Sequence, residues 1–423
     1  MRKISRQAAA QDGAPSGDPL YCDLTQSWSE QGGGVRTYLL HKRDHILTSG
    51  SGRHLLIIPG AADGVTEDGR AITVTIASHR VPGSPNYRLL LRNRAVRAAL
   101  ERFRPDLIEC QDAYNLPWAA IAHRKRHPGT ALVACYMTDF PTVYVNRPMA
   151  RLVGAGVADA LSRICYAYLA RLYNRFDATC ALSEAGGAAK LRALGVEPVE
   201  VTPLGVEIGE FAPSKRDPAL RSKLGLADGQ PLLIYAGRLD GEKKPDVVVD
   251  AFRRLPQALG AQLVLLGDGP LRSDIATLGD KRIHLPGFVS DRPELARWLA
   301  SADLYVSAMA DETFGVSIAE AQASGLPVVG VAAGAMVDRV TSAIGRLGPV
   351  GDSAAMAANI LDVLGGDRLK MAEAAREHAL SFSWRRSMEI IFNEVYPRAL
   401  ARARSRLGIE PVQDGFTLNM EAG

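Results

Sequence analysis

"ADLYVSAMADETFGVSIAEAQASGLPVVGVAAG", residues 302–334, contains a complete strand–loop–helix–strand pattern. The apolar run 302–310 predicts a strand, "DETFG" the loop at its carboxyl end, and "VSIAEAQASG" a short helix that ends at Gly325. The following run, "LPVVGVAAG", predicts the next strand. A helix between two such strands is typical of the right-handed crossover that joins parallel strands. The stretch therefore predicts an α/β protein with a parallel sheet.

The same alternation continues along the whole chain in two series. Apolar runs such as "HLLIIPGA", "AITVTIAS", "DLIEC", "ALVACYM", "ATCALS" and "VEVTPLG" form the first series, which ends near residue 205. "PLLIYAGRL", "AQLVLLGDG", "RIHLPGF" and the strands quoted above form the second. Several runs are almost continuously apolar, as strands covered on both faces require. We therefore expect two facing Rossmann-like domains, each with a doubly wound parallel sheet.

A segment rich in proline, glycine and charge separates the two series and predicts the interdomain linker. The N-terminus starts basic but has no apolar core, which argues against a signal peptide and predicts a disordered leader. The predicted units are a leader (1–18), an N-terminal domain (19–205), a linker (206–230), a C-terminal domain (231–380), a crossover helix (381–402) and a tail (403–423).

Composition narrows the class of protein. The 423 residues carry a net charge of +4 and 23% charged side chains, without a basic tail or an aromatic-studded basic run, so no nucleic-acid partner is predicted. Five singly spaced cysteines argue against a disulfide framework and show no metal-site spacing with each other or with histidine. No apolar run reaches the ~18 residues of a spanning helix. These features predict a soluble, cytoplasmic protein.

Two glutamates flank the glycine of the quoted loop. Glu312 precedes the predicted helix, whereas Glu320 lies inside it. The N–H groups of Gly315, Val316 and Ser317 at the helix start suit an anion such as phosphate. Carboxylates accept hydrogen bonds from hydroxyl groups, so a nucleotide sugar fits this arrangement. The alternative is a helix-capping glutamate and a second, solvated glutamate.

Further candidates follow the first strands of the second series. Arg238 and Lys243 lie between a strand and a helix, where two cations suit a diphosphate; the alternative is an exposed charged turn. Gly267 belongs to "LLGDGP", another glycine turn after a strand. Arg272 occupies the place of the third glycine of a dinucleotide fingerprint, so a nicotinamide oxidoreductase is disfavoured.

Taken together and in this order, these motifs resemble the retaining glycosyltransferases of family 4. The resemblance extends from Tyr21 to about Arg402 and rests on "GGGVRTYLLHK", "YAGRLDGEKKPDVVVDAF", "LVLLGDGPLR", "LPGFVSD", "FSWRRSMEIIFNEVY" and, most specifically, "ETFGVSIAE". It implies the glycosyltransferase-B fold, in which two Rossmann-like domains face each other and a C-terminal helix crosses back to the N-terminal domain. It also implies the transfer of a hexosyl unit from a UDP- or GDP-linked sugar to a lipid-linked or saccharide acceptor.

The resemblance also implies roles for individual residues. Arg238 and Lys243 would hold the diphosphate, Glu312 would contact the donor sugar, and Glu320 would bind the ribose hydroxyls. The remaining donor-binding residues implied are Gly33 and Gly34 over the phosphates, Gly267, Phe288 near the base, and the backbone of Gly315 and Val316. The chain has no Asp-x-Asp, so we expect a metal-independent reaction without a cofactor.

One departure bears on catalysis. Where relatives often have histidine before Thr-Asp-Phe-Pro, this chain has Met137, which cannot shuttle a proton. Asp139, two residues on, becomes the candidate for that role. Met137 also keeps a non-catalytic, nucleotide-sugar-binding protein open as an alternative. A nucleotide-sugar epimerase of the same fold is the other.

The stretch 87–104 predicts a basic, partly amphipathic helix, "YRLLLRNRAVRAALERFR". One interpretation is that its leucines pack on the N-terminal sheet while its arginines are solvated. The other is a peripheral contact with an anionic membrane, on its inner face, which would suit a lipid-linked acceptor.

Overall fold

Two parallel sheets, one in each half of the chain, form the framework. The computed structural model describes residues 17–29, 33–81, 84–227 and 229–409. Most of the predicted leader and of the predicted tail lies outside the described residues. None of the helices in the described ranges combines the length and the apolar character needed to cross a bilayer.

The N-terminal sheet has eight strands in the order β10-β9-β8-β7-β1-β2-β4-β3. Neighbouring strands are parallel except β3 and β4. Its strands are β1 (Leu20–Leu24), β2 (Arg53–Gly60), β3 (Gly64–Asp68), β4 (Ala71–Ala77), β7 (Leu107–Cys110), β8 (Ala131–Tyr136), β9 (Ala178–Ala181) and β10 (Val199–Val201). Around it lie β5 (His79–Val81), β6 (Ser84–Leu89), α1 (Gly34–Ser49), α2 (Asn93–Phe103), α3 (Leu116–Arg124), α4 (Arg147–Val153), α5 (Ala155–Tyr173) and α6 (Ala189–Ala193).

The C-terminal sheet has six parallel strands in the order β13-β12-β11-β14-β15-β16. Its strands are β11 (Leu232–Ala236), β12 (Gln262–Leu266), β13 (Ile283–Gly287), β14 (Leu304–Val306), β15 (Val328–Val331) and β16 (Gly345–Gly348). The helices are α7 (Pro218–Lys223), α8 (Pro245–Arg253), α9 (Arg272–Thr277), α10 (Arg292–Ser301), α11 (Val316–Ala323), α12 (Met336–Arg339), α13 (Ser353–Gly365), α14 (Arg368–Leu380), α15 (Trp384–Ile390) and α16 (Tyr396–Ser405).

The two doubly wound parallel sheets confirm the predicted fold class. Every strand quoted in the sequence analysis is present, but β1, β3, the β5–β6 pair and β16 were not predicted. β1 is fully buried, but it was not predicted because it contains the charged residue Asp23. β3 is exposed throughout and runs antiparallel to β4, so it lacks the apolar signal of the buried strands.

The predicted helix over 87–104 is wrong in its first part. Residues up to Leu89 belong to β6, which pairs with β5 in an antiparallel hairpin. The helix begins only at Asn93, and its apolar residues Val96 and Leu100 are buried. The burial of Val96 and Leu100 agrees with the interpretation in which apolar side chains pack on the domain, whereas Leu89 and Leu91 are exposed, so the membrane contact stays a prediction.

A buried polar cluster joins β1, α1, β2 and β7 in the core of the N-terminal domain. Lys42 Nζ lies 2.7 Å from Asp23 Oδ1 and 2.6 Å from Glu109 Oε1. His54 Nε2 lies 2.7 Å from Asp23 Oδ2. Because Arg43 Nε donates to His54 Nδ1, the proton of the neutral imidazole is on Nε2 and points at Asp23. The cluster therefore pairs each buried carboxylate with a donor.

The pKa of Asp23 reflects this pairing. Burial acts to raise the pKa, but the charge of Lys42 and the hydrogen bond from His54 outweigh it and lower the pKa to about 2. A carboxyl group whose pKa is lowered on folding adds stability above its ordinary pKa of 3.8, and that stability is lost as the pH falls toward about 2.

The chain crosses between the domains twice, and the two crossings lie side by side. Val206 N donates to the Phe382 carbonyl at 2.7 Å. A Cβ on Gly205 would lie 2.4 Å from Cα of Trp384, so only glycine allows this approach. From Trp384 the chain is helical to Ser405, through a π-helical turn between α15 and α16.

The returning helix is fixed to the N-terminal core. The Tyr396 hydroxyl donates to Glu109 Oε2 at 2.9 Å. Arg402 donates to the Asp177 carbonyl, and Arg406 pairs with the Asp177 carboxylate. These contacts confirm the expected helix that crosses back to the N-terminal domain.

Lys42→Met is expected to lower the free energy of unfolding by about 3 kcal/mol or more, because it leaves two buried carboxylates without their cation. The matched control is Arg102→Ala, which removes an exposed pair with Glu67 at 3.1 Å and should cost less than about 1 kcal/mol. Urea unfolding followed by circular dichroism measures both. Equal losses in the two variants would contradict a stabilising role for the cluster.

Candidate functional site

The predicted donor-site residues lie at one edge of the C-terminal sheet. Arg238 follows β11, Gly267 follows β12, Phe288 follows β13 and Glu312 follows β14. These four strands are neighbours and run parallel, so their carboxyl ends meet at the same edge. Ligands of doubly wound sheets bind at this edge.

An ion pair in the site joins Lys243 to Glu312. Lys243 Nζ lies 2.6 Å from Glu312 Oε1, although the residues come from different loops. The side chains are 24% and 13% exposed respectively, so the pair faces a partly open space. A cation and a carboxylate held together here can receive a ligand that has both an anionic group and hydroxyl groups.

Arg238 forms ion pairs within its own loop. Its guanidinium lies 2.5 Å from Asp240 Oδ2 and 2.8 Å from Glu242 Oε2. Partial burial acts to lower the pKa of Arg238, but the two carboxylates outweigh it and raise that pKa. The side chain is 63% exposed, so the guanidinium remains reachable from solvent.

The start of α11 supplies an anion-binding geometry. Gly315 precedes the helix with φ 81°, a left-handed conformation that favours glycine. Val316, the first helical residue, is partly exposed. Below this turn the Tyr305 hydroxyl donates to Ser317 Oγ at 2.9 Å. The sequence analysis did not identify Tyr305, because the apolar pattern of β14 predicts a core side chain at that position.

Glu320 is separated from Glu312 and has a different environment. It is only 4% exposed, and its Oε1 lies 2.6 Å from Arg292 Nη2. Burial raises the pKa of Glu320, and the Arg292 charge offsets part of that effect. Burial raises the pKa of Tyr305, and the negative charges of Glu312 and Glu320 add to this effect, so both carboxylates lie near this ring. The interpretation of Glu320 as a solvated glutamate is wrong.

Gly267 is tightly packed against a neighbouring loop, whereas Phe288 is exposed. A Cβ on Gly267 would lie 1.8 Å from the Gly237 carbonyl oxygen, so the loops after β11 and β12 touch backbone to backbone. This packing explains the glycine without a ligand. Phe288 is 74% exposed at the same edge. Donor contacts by either residue stay predictions.

The N-terminal domain presents a different cluster around Asp139. The carboxylate accepts hydrogen bonds from Lys190 at 2.5 Å and from Tyr166 at 2.7 Å. Burial acts to raise the pKa of Asp139, but these two donors outweigh it and lower that pKa. Asp139 is therefore an ionised acceptor engaged within its own domain. Its catalytic role stays a prediction.

The backbone of Met137 contacts the C-terminal domain. Thr313 Oγ1 donates to the Met137 carbonyl at 2.9 Å, and Ser183 Oγ donates to the Thr313 carbonyl at 2.9 Å. Arg147 and Asp311 form an ion pair across the same boundary. The loop that carries Glu312 is thus held by the N-terminal domain on one side and by its own sheet on the other.

Gly33 and Gly34 stand at the start of α1 in the N-terminal domain. The Tyr87 hydroxyl is 3.6 Å from where a Cβ on Gly33 would be, while Gly34 faces open space. Tyr144, which sequence reasoning missed, is 60% exposed and is close enough to Tyr87 and Glu242 for their charges to act on it. Its pKa is raised by burial, by the charge of Glu242 and by Tyr87. Closure of Gly33 and Gly34 over phosphates stays a prediction.

Comparisons with known proteins give the family. A model described as "Glycosyltransferase Family 4" matches residues 32–210, and one described as "Glycosyl transferases group 1" matches residues 230–365. A GDP-mannose-dependent alpha-mannosyltransferase of Mycobacterium tuberculosis is 30% identical over 376 residues, which cover 85% of this chain and 92% of the relative. A GDP-mannose-dependent alpha-(1-6)-phosphatidylinositol dimannoside mannosyltransferase of the same species is 28% identical over 85% of this chain and 91% of its own.

Solved structures agree on the fold. A sucrose-phosphate synthase from Thermosynechococcus elongatus has a TM-score of 0.70 and 18% identity, covering 91% of this chain and all of its own. HepE of Anabaena, solved with UDP and glucose, has a TM-score of 0.66 and 20% identity over 90% of this chain and 99% of its own. With the matched family models, the similar mannosyltransferases and the facing parallel-sheet domains, this chain belongs to the family 4 glycosyltransferases.

Proposed function

We propose that this glycosyltransferase moves a hexosyl unit, with mannose as the first candidate, from a nucleoside diphosphate sugar to a lipid-linked or saccharide acceptor. The observation that carries the proposal is the contact of 2.6 Å between Lys243 and Glu312, beside the start of α11. This contact places a cation that can bind phosphate next to a carboxylate that can accept hydrogen bonds from sugar hydroxyls. The relatives named as GDP-mannose-dependent support GDP as the nucleotide.

The donor would lie across the carboxyl edge of the C-terminal sheet. Its diphosphate would meet Lys243, the first N–H groups of α11 and, after exchange of Asp240 and Glu242 for phosphate, Arg238. Charge that develops on the departing diphosphate is stabilised by these fixed donors. We propose that they suffice without a metal ion.

The reaction proposed proceeds with retention of the anomeric configuration. An acceptor hydroxyl oxygen forms a bond to the anomeric carbon on the same face from which the phosphate oxygen departs. The hydroxyl proton passes to that phosphate oxygen, so no protein base is required at the position of Met137. Glu312 would hold the sugar hydroxyls while the bond changes.

The acceptor would enter from the N-terminal domain. A shallow cavity of about 360 Å³ adjoins Asp139 and is lined by Thr142, Asn146, Asp159, Ser162, Arg163 and Tyr166. Such polar groups suit saccharide hydroxyls. Beside it, Leu152 is 76% and Ile164 65% exposed on α4 and α5. We propose that this surface, rather than the stretch 87–104, faces the lipid part of an acceptor at the inner side of the membrane, with the protein in the cytoplasm.

Donor titration tests the proposal directly. Purified protein is titrated with GDP, UDP, ADP and NAD, with and without Mg²⁺, and binding is measured by calorimetry. Transfer is measured with GDP-mannose or UDP-glucose, and octyl mannoside or phosphatidylinositol vesicles. Binding of one nucleoside diphosphate without Mg²⁺, followed by sugar transfer, is expected. Binding without transfer to any acceptor would favour the non-catalytic alternative, and a requirement for Mg²⁺ would contradict metal independence.

Substitutions of the two glutamates should separate their roles. Glu320→Ala is expected to raise the donor KM about tenfold or more, because a ribose hydroxyl loses a charged acceptor. Glu312→Ala is expected to lower kcat on the order of 100-fold, because it would act on the reacting sugar. The control is Glu373→Ala, an exposed glutamate on α14. Activity equal to that of the control in both variants would contradict the assignment.

Thr313→Val tests whether the contact with Met137 supports the closed site. The substitution keeps the shape of the side chain but removes the hydrogen bond of 2.9 Å. We expect kcat/KM to fall about fivefold, the equivalent of about 1 kcal/mol. Thr277→Val, which removes an exposed hydroxyl bonded to Asp274 in its own helix, is the matched control. An unchanged kcat/KM in Thr313→Val would show that this bond does not contribute to closure.

A further inference from the structure

Two histidines and a glutamate converge where α2 and α3 end, away from the donor site. Glu101 lies in the last turn of α2, and His123 in the last turn of α3. His127 follows one turn later, since its N–H donates to the His123 carbonyl at 3.0 Å. One potential metal-binding atom from each side chain lies within 4.8 Å of those of the other two.

The distances within this cluster fit a tetrahedral metal ion. His127 Nε2 lies 3.1 Å from Glu101 Oε1, and His123 Nδ1 lies 3.5 Å from Glu101 Oε2. Zinc bonds to nitrogen and oxygen are about 2.0–2.1 Å, which places neighbouring ligand atoms of a tetrahedron about 3.3 Å apart. Both observed distances are close to that value.

The environment of His123 is a second observation that points to a ligand. The residue is 2% exposed; Nε2 has no hydrogen-bond partner among the described residues, and Nδ1 has only the approach of 3.5 Å to Glu101 Oε2, which does not have hydrogen-bond geometry. A buried polar group without a partner is costly. A metal ion at Nδ1 would satisfy this nitrogen.

The charges around the cluster act in both directions. The carbonyl ends of α2 and α3 carry partial negative charge that favours a cation, and Glu101 adds a carboxylate. Arg126 lies 4.0 Å from Glu101, and the charge of Arg104 acts on His123. These arginines weaken the attraction for a cation. Direct coordination by nitrogen, rather than charge alone, must therefore account for binding.

We propose that Glu101, His123 and His127 form a binding site for a divalent transition ion of the zinc type, with water as the fourth ligand. The site is structural and goes beyond the proposed transfer reaction, because α2 and α3 end where β7 and β8 begin. The donor residues lie instead at the carboxyl ends of strands. The sequence signal is "HRKRH", two histidines one helical turn apart, which an analysis centred on cysteine spacing does not assign.

Cobalt binding to the tag-free, metal-stripped full chain tests the site. One equivalent of Co²⁺ is expected to give the strong visible absorption of a tetrahedral site, which Zn²⁺ removes by displacement and Mg²⁺ does not. Glu101→Gln and His127→Ala should each weaken Co²⁺ binding by about tenfold or more. His79→Ala, which removes an exposed histidine of β5, is the matched control and should bind as the natural chain does.

The variants avoid substituting buried His123, so loss of binding is separable from loss of folding. Circular dichroism and GDP titration of the same samples check the fold, and neither readout requires the metal. Stoichiometric Co²⁺ absorption that disappears in both site variants supports the proposal. Absence of saturable absorption in the natural chain, or equal affinity in Glu101→Gln and His127→Ala, would overturn it, whatever the outcome of the donor titration.

Discussion

The position of the loop 311–315 is the constraint on which the arrangement of the site depends. The backbone at Glu312 and Thr313 fits between two glycines: a Cβ on Gly186 would lie 2.9 Å from the Glu312 carbonyl oxygen, and one on Gly334 would lie 2.7 Å from it. One of these glycines belongs to each domain. Because the loop is packed on both sides, Glu312 is directed at Lys243, and Thr313 reaches the carbonyl of Met137. The relation between the domains and the geometry of the donor site are thus set by the same few backbone contacts.

The charges of the site are already paired in this structure. Lys243 contacts Glu312, Arg238 contacts Asp240 and Glu242, and Arg292 contacts Glu320. A diphosphate would therefore exchange with carboxylates rather than enter a site of unpaired cations. Exchanging one charged partner for another costs less free energy than desolvating unpaired charges. It also favours a ligand that offers phosphate and hydroxyl groups together. Of these three cations Arg238 is the most exposed, at 63% of its side chain.

The C-terminal helix connects this site to the N-terminal core. It begins against Gly205, at the end of the N-terminal domain, and ends beside Asp177, with Tyr396 bound to Glu109 in between. Glu109 also accepts from Lys42 and Tyr38, so one buried carboxylate links β7, α1 and the returning helix. The two crossings between the domains are joined by an isolated parallel bridge between Val206 and Ser383.

The sequence by itself determined the fold class and the edge at which the site lies. Alternating apolar strands and helices allow few topologies, and strand-following motifs such as those of Arg238 and Glu312 fall at the carboxyl edge by connectivity alone. The sequence did not determine side-chain partners. The pairing of Lys243 with Glu312, the burial of Glu320 against Arg292 and the engagement of Asp139 by Lys190 all join residues far apart in the chain. Nor did periodicity separate the strand β6 from the helix α2, because a short basic and leucine-rich stretch satisfies both patterns. Tertiary packing decided these points, since the energy of a buried charge depends on which partner the fold brings within hydrogen-bond distance.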